Sequence, residues 1–520
     1  MAFKQRLLAG VAAAAVVWPA IAAADPATDA RIAALEAQVK ALSSQIQDLK
    51  AQAAETETLS AQVADLKATT ADSVAAVRQD ALSTTVSLAG GRPTFATSDG
   101  QFTASLRGVF QLDTAHYSQK SPGPLSSDFR RGSFGDATEN DHARDLNDGA
   151  NFRRARIGIE GKAFGDFEYN FLYDFGGSGV EDPGKITSAW VQYNGFKPLR
   201  IRVGAFSPPA GLEEAVSTNG SLFAERASPS EVVRSIASGD GRAAAGIFAN
   251  GDRWNISAAV TGNTVTTQTF DEQLGIVARA AYVPYLRDNA LVHLGVNTTI
   301  VVNPAATAPD VGGTAATPIR LRDRPELRVD GTRLVDTGNI DADGLRSIGG
   351  EFGAQWNNFY AQAEYFDIRL DRKGPLSNPH FNGWYVQGGW TITGEKRRYS
   401  ITSATFDAPR PDKPFDPAKG QWGAWELGVR YSDLDLNYHE GAPGSASLAD
   451  AIRGGEQKIL TVGLNWYLNN VLRFQAAFQD VSVDRLSPGG AAFLAGSTPP
   501  AGAQVGQDLQ IWSFRTQYAF

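Results

Sequence analysis

Cysteine is absent from this 520-residue chain, and methionine occurs once, as the first residue. Without Cys there is no disulfide scaffold, no thiolate zinc or iron–sulfur site and no cysteine nucleophile. Long apolar runs are missing as well. Mean hydropathy is −0.24, whereas a helical membrane protein needs several stretches of about 20 apolar residues. Positive charge is in the minority, with 48 Lys and Arg against 56 Asp and Glu for a formal charge of −8. That balance speaks against a nucleic-acid partner. Lys is the scarcest charge: 13 Lys stand beside 35 Arg, so the cations are mostly the planar kind that grips oxyanions through paired donors. The length suits two or three soluble domains or one large barrel.

Residues 1–24 read as a secretory signal peptide. Lys4 and Arg6 precede an apolar stretch from Leu7 to Val17, and Ala22 and Ala24 fit a small-residue cleavage site. The alternative, a membrane anchor, requires a longer apolar stretch. Cleavage after Ala24 takes the formal charge from −8 to −10 and sends the chain out of the cytoplasm.

Residues 28–81 predict an α-helical coiled coil. Ile32, Leu35, Val39, Leu42, Ile46 and Leu49 alternate at steps of three and four, the a and d positions of a heptad. The seam resumes at Leu59, Val63 and Leu66 after a three-residue stammer and fades through Val74 and Val77. A lone helix with so Ala-weakened a stripe is marginal in water, so the pattern calls for partners. A disordered Ala-rich tether is the bland alternative. The choice of Ile, Val and Leu does not select dimer or trimer.

From residue 95 to 520 the texture changes to Gly, aromatics and segments of roughly 10 residues with period-2 alternation. Phe167, Tyr169, Phe171, Tyr173 and Phe175 share one face of a segment whose other face holds Asp166, Glu168, Asn170, Leu172 and Asp174. Trp512, Phe514, Tyr518 and Phe520 repeat the pattern opposite Arg515 and Gln517. Apolar-out, polar-in strands behind a signal peptide are what a lipid-facing barrel requires. Sixteen such segments alternate between short connections and long ones, the asymmetry of an antiparallel outer-membrane β-barrel with short periplasmic turns. The even count puts both barrel ends, and with them the coiled coil, in the periplasm. One connection, 394–422, should be a short turn and instead holds Pro409, Pro411, Pro414 and Pro417; the alternation gives no reason for it.

Phasing the strands by their apolar faces turns Arg107, Arg154, Arg156, Arg200, Arg202, Arg279, Arg430 and Arg473 toward the lumen and Arg153 outward. Lipid would cost each charge about 2–4 kcal/mol at mid-bilayer, which explains the direction but not the preference for Arg. The long connection after the ninth strand carries Arg320, Arg322, Arg324 and Arg328. In extended chain at about 3.3 Å per residue the first three project from one side roughly 6 to 7 Å apart, a row able to pass an oxyanion along. Asp323, Glu326 and Asp330 are available to neutralise it. The third long connection, 207–241, offers an apolar turn over Ser221–Arg226, predicted as a short helix that folds into the barrel mouth. Glu213, Glu214, Glu225 and Arg226 then become constriction groups, with solvated loop charges as the alternative.

These residues resemble the phosphate-selective porins O and P. Phe152-Arg153-Arg154-Ala155 looks like that family's Phe-Arg-Arg-Ala strand, and Arg320 to Arg328 match its arginine ladder at offsets 0, 2, 4 and 8. Gly423-Ala424-Trp425-Glu426-Leu427 and Leu464-Asn465-Trp466-Tyr467 resemble it as well. The resemblance spans about 95–520 and implies a sixteen-stranded homotrimer constricted by an inward third loop, with Arg107, Arg153 and Arg154 at the central anion site. Glu214 and Asn219 stand where the family places lysines, which weakens such a site; Arg156 is an apparent extra cation.

The expected function is a passive channel favouring small anions, phosphate first and polyphosphate as a longer oxyanion. A general or sugar-selective porin is the alternative; it calls for inward aromatics, and the facing of Trp190 and Phe366 is open. An enzyme barrel such as an outer-membrane lipase needs a lipid-facing His beside a Ser, and only His293 is placed on a strand. No cofactor or metal is expected, and the coiled coil suggests a contact with the cell wall.

Overall fold

The computed structural model describes residues 26–81, 84–119, 146–176, 184–267, 270–308, 315–489 and 501–520. The signal-peptide expectation lies outside the described residues. Two units are present, residues 1–82 and 83–520. In the first, helix α1 (Pro26–Ala81) runs without interruption. Its heptad residues are open to solvent, Ile32 at 50% and Leu66 at 72%.

In the second unit sixteen strands close into an antiparallel barrel. They begin with β1 (Thr103–Gln119), β2 (Gly149–Ala163), β3 (Phe167–Asp174), β4 (Lys185–Tyr193), β5 (Leu199–Ala205), β6 (Arg242–Asn250), β7 (Trp254–Thr264) and β8 (Leu274–Arg287). The second half comprises β9 (Ala290–Asn303), β10 (Ile340–Trp356), β11 (Phe359–Arg372), β12 (His380–Thr391), β13 (Ala424–Tyr438), β14 (Ile452–Tyr467), β15 (Leu472–Asp484) and β16 (Leu509–Ala519). β16 pairs with β1 from Leu509↔Gln119 to Ala519↔Val109, which removes every open edge. A hairpin of Thr84–Ser87 and Thr94–Thr97 adds to the start of β1. The shortest turns use residues that tolerate a left-handed backbone: Asn357, at φ 51°, carries the two-residue turn between β10 and β11.

Alternation puts apolar side chains outside on every strand. Around the short turns the outward groups are aromatic, including Phe164, Phe196, Trp356, Phe359, Trp390, Trp422 and Trp466. Trp425 and Trp466 stack at 4.9 Å and Phe359 and Trp390 at 6.0 Å. Such a girdle matches a membrane interface. Among the described residues no helix is long and apolar enough to cross a membrane; the crossing is made by strands.

Three connections fold inward. The third long one, 206–241, contains helix α2 (Ser228–Ala237). Ser221–Arg226, expected as the helix, is a turn instead; Pro229 at the first helical positions and Glu231 in the first turn place the helix start seven residues later. The backbone N–H groups of Leu212 and Glu213 donate to the Glu364 carboxylate on β11 at 2.6 and 3.0 Å. Val232 and Val233 of α2 are buried with Leu321, Leu327, Leu334 and Val335 of the connection 304–339, giving the barrel an apolar plug. The Pro-rich connection after β12 also enters. Its hairpin of Arg398–Ser400 and Thr405–Asp407 seats Phe406 against Leu212, Leu222 and Tyr360, and the Arg279 guanidinium donates to the Ser403 and Ala404 carbonyls at 2.8 Å each.

Candidate functional site: the arginine-lined lumen

Strand β2 supplies most of the constriction. Alternation sends Arg153 outward, but the structure turns it inward beside Arg154. The pairing of β1 with β2 passes from Gln111↔Arg154 to Leu112↔Phe152, so Arg153 is the extra residue of a β-bulge. Phe152 remains outside at 52% exposed while Arg154 is buried.

Glu225 gathers the arginines. Arg153 donates to it through Nε at 2.8 Å and Nη2 at 3.0 Å, and Arg515 of β16 reaches it at 3.1 Å. Arg154 and Arg328 stand 3.6 Å away. Burial by itself raises a carboxyl, yet these four guanidinium groups hold Glu225 well below the usual range. Around it Arg226 and Arg234 share Glu214 at 2.9 and 2.7 Å, Arg156 bridges Asp174 and Asp240 at 2.7 and 2.6 Å, and Arg328 binds Glu231 at 2.5 Å. Burial raises Glu231, but Arg234, Arg328 and Arg226 hold it at about 2. Arg515 also donates to Asp113 at 2.6 Å. Seven guanidinium groups therefore face six carboxylates here. Sequence reasoning missed Asp113, Asp174, Glu231, Arg234 and Asp240, whose pairing depends on distant strands and loops.

Glu213 lies deeper. Its carboxylate faces Arg430 at 3.3 Å and accepts from the Ala227 N–H at 3.0 Å. Burial pushes it up to about 7, against Arg430.

The ladder does not stay in one row. Arg320 and Arg322 are exposed, with Leu321 buried between them and Asp323 buried after Arg322. At Arg324-Pro325-Glu326 the chain turns: Glu326 takes φ 54° and its N–H bonds the Arg324 carbonyl at 2.8 Å. Arg324 is consequently buried, its Nε donating to the Gly331 carbonyl at 2.9 Å, and Arg328 joins the Glu225 group. Arg320 is paired with Asp336 through Nε at 2.7 Å. The acids proposed from sequence act elsewhere. Glu326 pairs with Arg430, Asp330 accepts from the Asn147 N–H at 2.6 Å, and burial pushes Asp323 up to about 7.

Two chambers adjoin this constriction. One, of about 440 Å³, is lined by Arg156, Arg200, Arg202, Arg226 and Trp190, with Thr402 and Ser403 from the inward hairpin. The other, of about 540 Å³, is lined by Arg92, Arg398, Arg410 and Arg473. Arg107, Ser217 and Asn219 line both. Arg107 is paired with Glu160 at 2.8 Å and remains 28% exposed. Trp190 and Phe248 face inward, as does Phe366, which is buried in the apolar plug. His293 is buried on the lumen side, bonding Tyr399 at 2.7 Å and Glu351 at 3.1 Å, so it does not face lipid. His116 and His380 also lie on strands, which corrects the expectation that His293 alone does.

The family model described as phosphate-selective porin O and P matches residues 125–505. Porin O of Pseudomonas aeruginosa is 27% identical over 433 residues, covering 78% of this chain and 93% of that protein. Among solved structures, the anion-selective porin from Comamonas acidovorans aligns at TM-score 0.44 and 12% identity, over 81% of this chain and all of its own. A loop L8 deletion mutant of OmpT from Vibrio cholerae aligns at TM-score 0.44 and 9% identity with the same coverage.

Proposed function

The chain belongs to the phosphate-selective porin O and P family and is an outer-membrane porin, and from that premise we propose that it is a passive channel favouring small anions, with phosphate-like oxyanions first and luminal arginines as its selectivity elements. The observation that carries this reading is the pair of chambers that share Arg107 in their walls and are lined by further arginines. Arginine on the wall concentrates anions by focusing the field in a low-dielectric opening. Guanidinium donors then replace part of the ion's water, and exit is fast because successive sites each bind modestly. The near-balance of guanidinium and carboxylate groups at the constriction supports modest rather than strong phosphate selectivity.

The same reading assigns a homotrimer, with α1 in the periplasm as its oligomerising coiled coil and as a contact with the cell wall. Polyphosphate is the longer oxyanion it admits. The roles of Arg107, Arg153, Arg154, Arg156, Arg200 and Arg202 as anion contacts belong to this proposal. A sugar-permeable pore is the second reading, favoured by the inward Trp190 and Phe248. Titrating chloride current with phosphate and with a maltooligosaccharide separates the two. Phosphate block that weakens in Arg107→Gln supports the anion channel; oligosaccharide block without phosphate block supports the sugar pore.

A further inference from the structure

Two arginines of the 440 Å³ chamber stand apart from the rest. Its other arginines, Arg107, Arg156 and Arg226, each have a carboxylate partner. Arg200 and Arg202 have none within ion-pair distance among the described residues. Arg200 donates to the Asn250 amide oxygen at 2.9 Å, and Arg202 Nε to the Gln192 amide oxygen at 2.9 Å. The other end of Gln192 donates to Glu168 at 3.2 Å, so that acid is hydrogen-bonded by a neutral amide and its charge reaches the two arginines only through space.

Arg202 is also set among aromatic rings. Its guanidinium carbon lies 4.0 Å from the centroid of Trp190, 4.8 Å from Phe248 and 5.4 Å from Phe206. β4 and β6 flank β5, so Trp190 and Phe248 approach Arg202 from opposite sides. A cation bedded in rings loses water on its faces and keeps its amino edge for an anion. A compact, strongly hydrated oxyanion gains nothing from the rings. An anion with a flat apolar body gains twice, through its charge at the guanidinium edge and through its ring beside Trp190 and Phe248. The volume agrees: about 300–1,000 Å³ is the usual size of an organic-ligand pocket, far beyond one phosphate.

We propose that this chamber is a binding station for organic anions that join a carboxylate to a flat apolar ring, aromatic carboxylates of the benzoate type, with Arg202 and Arg200 taking the carboxylate and Trp190 and Phe248 flanking the ring. It rests on the channel reading above and adds, at this one chamber, a second class of anionic solute beside the small oxyanions.

The test uses the whole protein in planar bilayers, with chloride current titrated by benzoate, acetate, phosphate and benzyl alcohol. Benzoate half-blocks at a concentration about tenfold below acetate or phosphate, the scale of one aromatic contact; benzyl alcohol does not block. Trp190→Leu with Phe248→Leu brings benzoate level with acetate. Arg202→Lys, which keeps the charge and loses the planar stack, narrows the same gap and serves where the double variant does not insert. Equal block by benzoate and acetate in the unaltered protein overturns the proposal, as does a benzoate preference that survives the aromatic substitutions. Block by benzyl alcohol as strong as by benzoate overturns it in favour of an uncharged-ring site. A cation-selective reversal potential in the unaltered protein overturns the channel reading itself, whereas anion selectivity with equal benzoate and acetate block overturns this proposal alone.

Discussion

Arg153 and Glu225 form a two-point ion pair, Nε to Oε1 at 2.8 Å and Nη2 to Oε2 at 3.0 Å, between a bulged strand and a loop that folds into the barrel. The pair has two effects at once. It fastens the loop to the wall, and it spends on a protein carboxylate the charge that would otherwise meet a passing anion.

Glu225→Gln keeps the side-chain shape and removes the charge shared by Arg153, Arg154, Arg328 and Arg515. Phosphate should then block chloride current at lower concentration, by about an order of magnitude for a contact worth roughly 1.4 kcal/mol. Breaking a buried pair from one side costs about 3–5 kcal/mol, so the third loop should also become easier to cleave with protease. Unchanged block together with unchanged cleavage contradicts the role given to Glu225.

Glu213 gives the third loop a pH dependence of known sign. Its carboxyl is raised from 4.5 to about 7 in the folded chain, with burial as the main cause. A raised acid holds its proton across that interval, so it leaves docking intact below about 4.5 and weakens it as pH climbs through 7. Glu225 and Glu231 act oppositely, supporting docking fully above their ordinary value of 4.5 and losing it progressively as pH falls below that. Amide exchange at Leu212, Glu213 and Ala227, corrected for intrinsic rates, should speed up between about pH 4.5 and pH 7, by roughly tenfold per pH unit crossed at most, and level off above that. Glu213→Gln should flatten that dependence.

Arg397 ties the inward hairpin to the wall. It binds Glu426 of β13 at 2.7 and 2.9 Å and the Gly220 carbonyl of the third loop at 2.9 Å, in a site where both side chains are buried. Burial opposes its charge, but Glu426 holds it above the usual arginine value. Arg397→Ala should release the hairpin, at a local cost of about 3–5 kcal/mol, and raise single-channel conductance. A conductance equal to that of the parent protein shows that the hairpin does not limit flow.

Helix α1 exposes a heptad stripe that finds no partner among the described residues of its own unit. On the proposed homotrimer, replacing Leu35, Leu42 and Leu49 by Asn should lower the fraction of trimer surviving mild detergent and leave the β-barrel signal in circular dichroism in place. An undiminished trimer assigns assembly to the barrel wall.

Much of the barrel was legible because one rule governs every strand. Lipid outside and polar lumen inside force a period of two, so Phe167, Phe171 and Phe175 announced their face without any partner being known. Arg153 was not legible, because a bulge inserts one residue and reverses the facing of all that precede it in the strand. The helix in the third loop was misplaced because the apolar pair Leu222-Phe223 outweighed the stronger start signal, Pro229 followed by Glu231. The partners of Glu225 come from residues 153, 154, 328 and 515, and no local pattern announces a meeting of that kind. The Pro-rich connection after β12 looked like an anomaly of length and is explained only by the lumen it fills.

The most direct measurement is the zero-current potential of single channels in a KCl gradient, for the parent protein and for Arg107→Gln, Arg200→Gln, Arg202→Gln combined. The parent should show a potential of chloride sign and the triple variant a clear shift toward potassium, because Arg107 lines both chambers and Arg200 and Arg202 line the first. A potential of potassium sign in the parent, or no shift on removing the three arginines, contradicts the anion-channel reading.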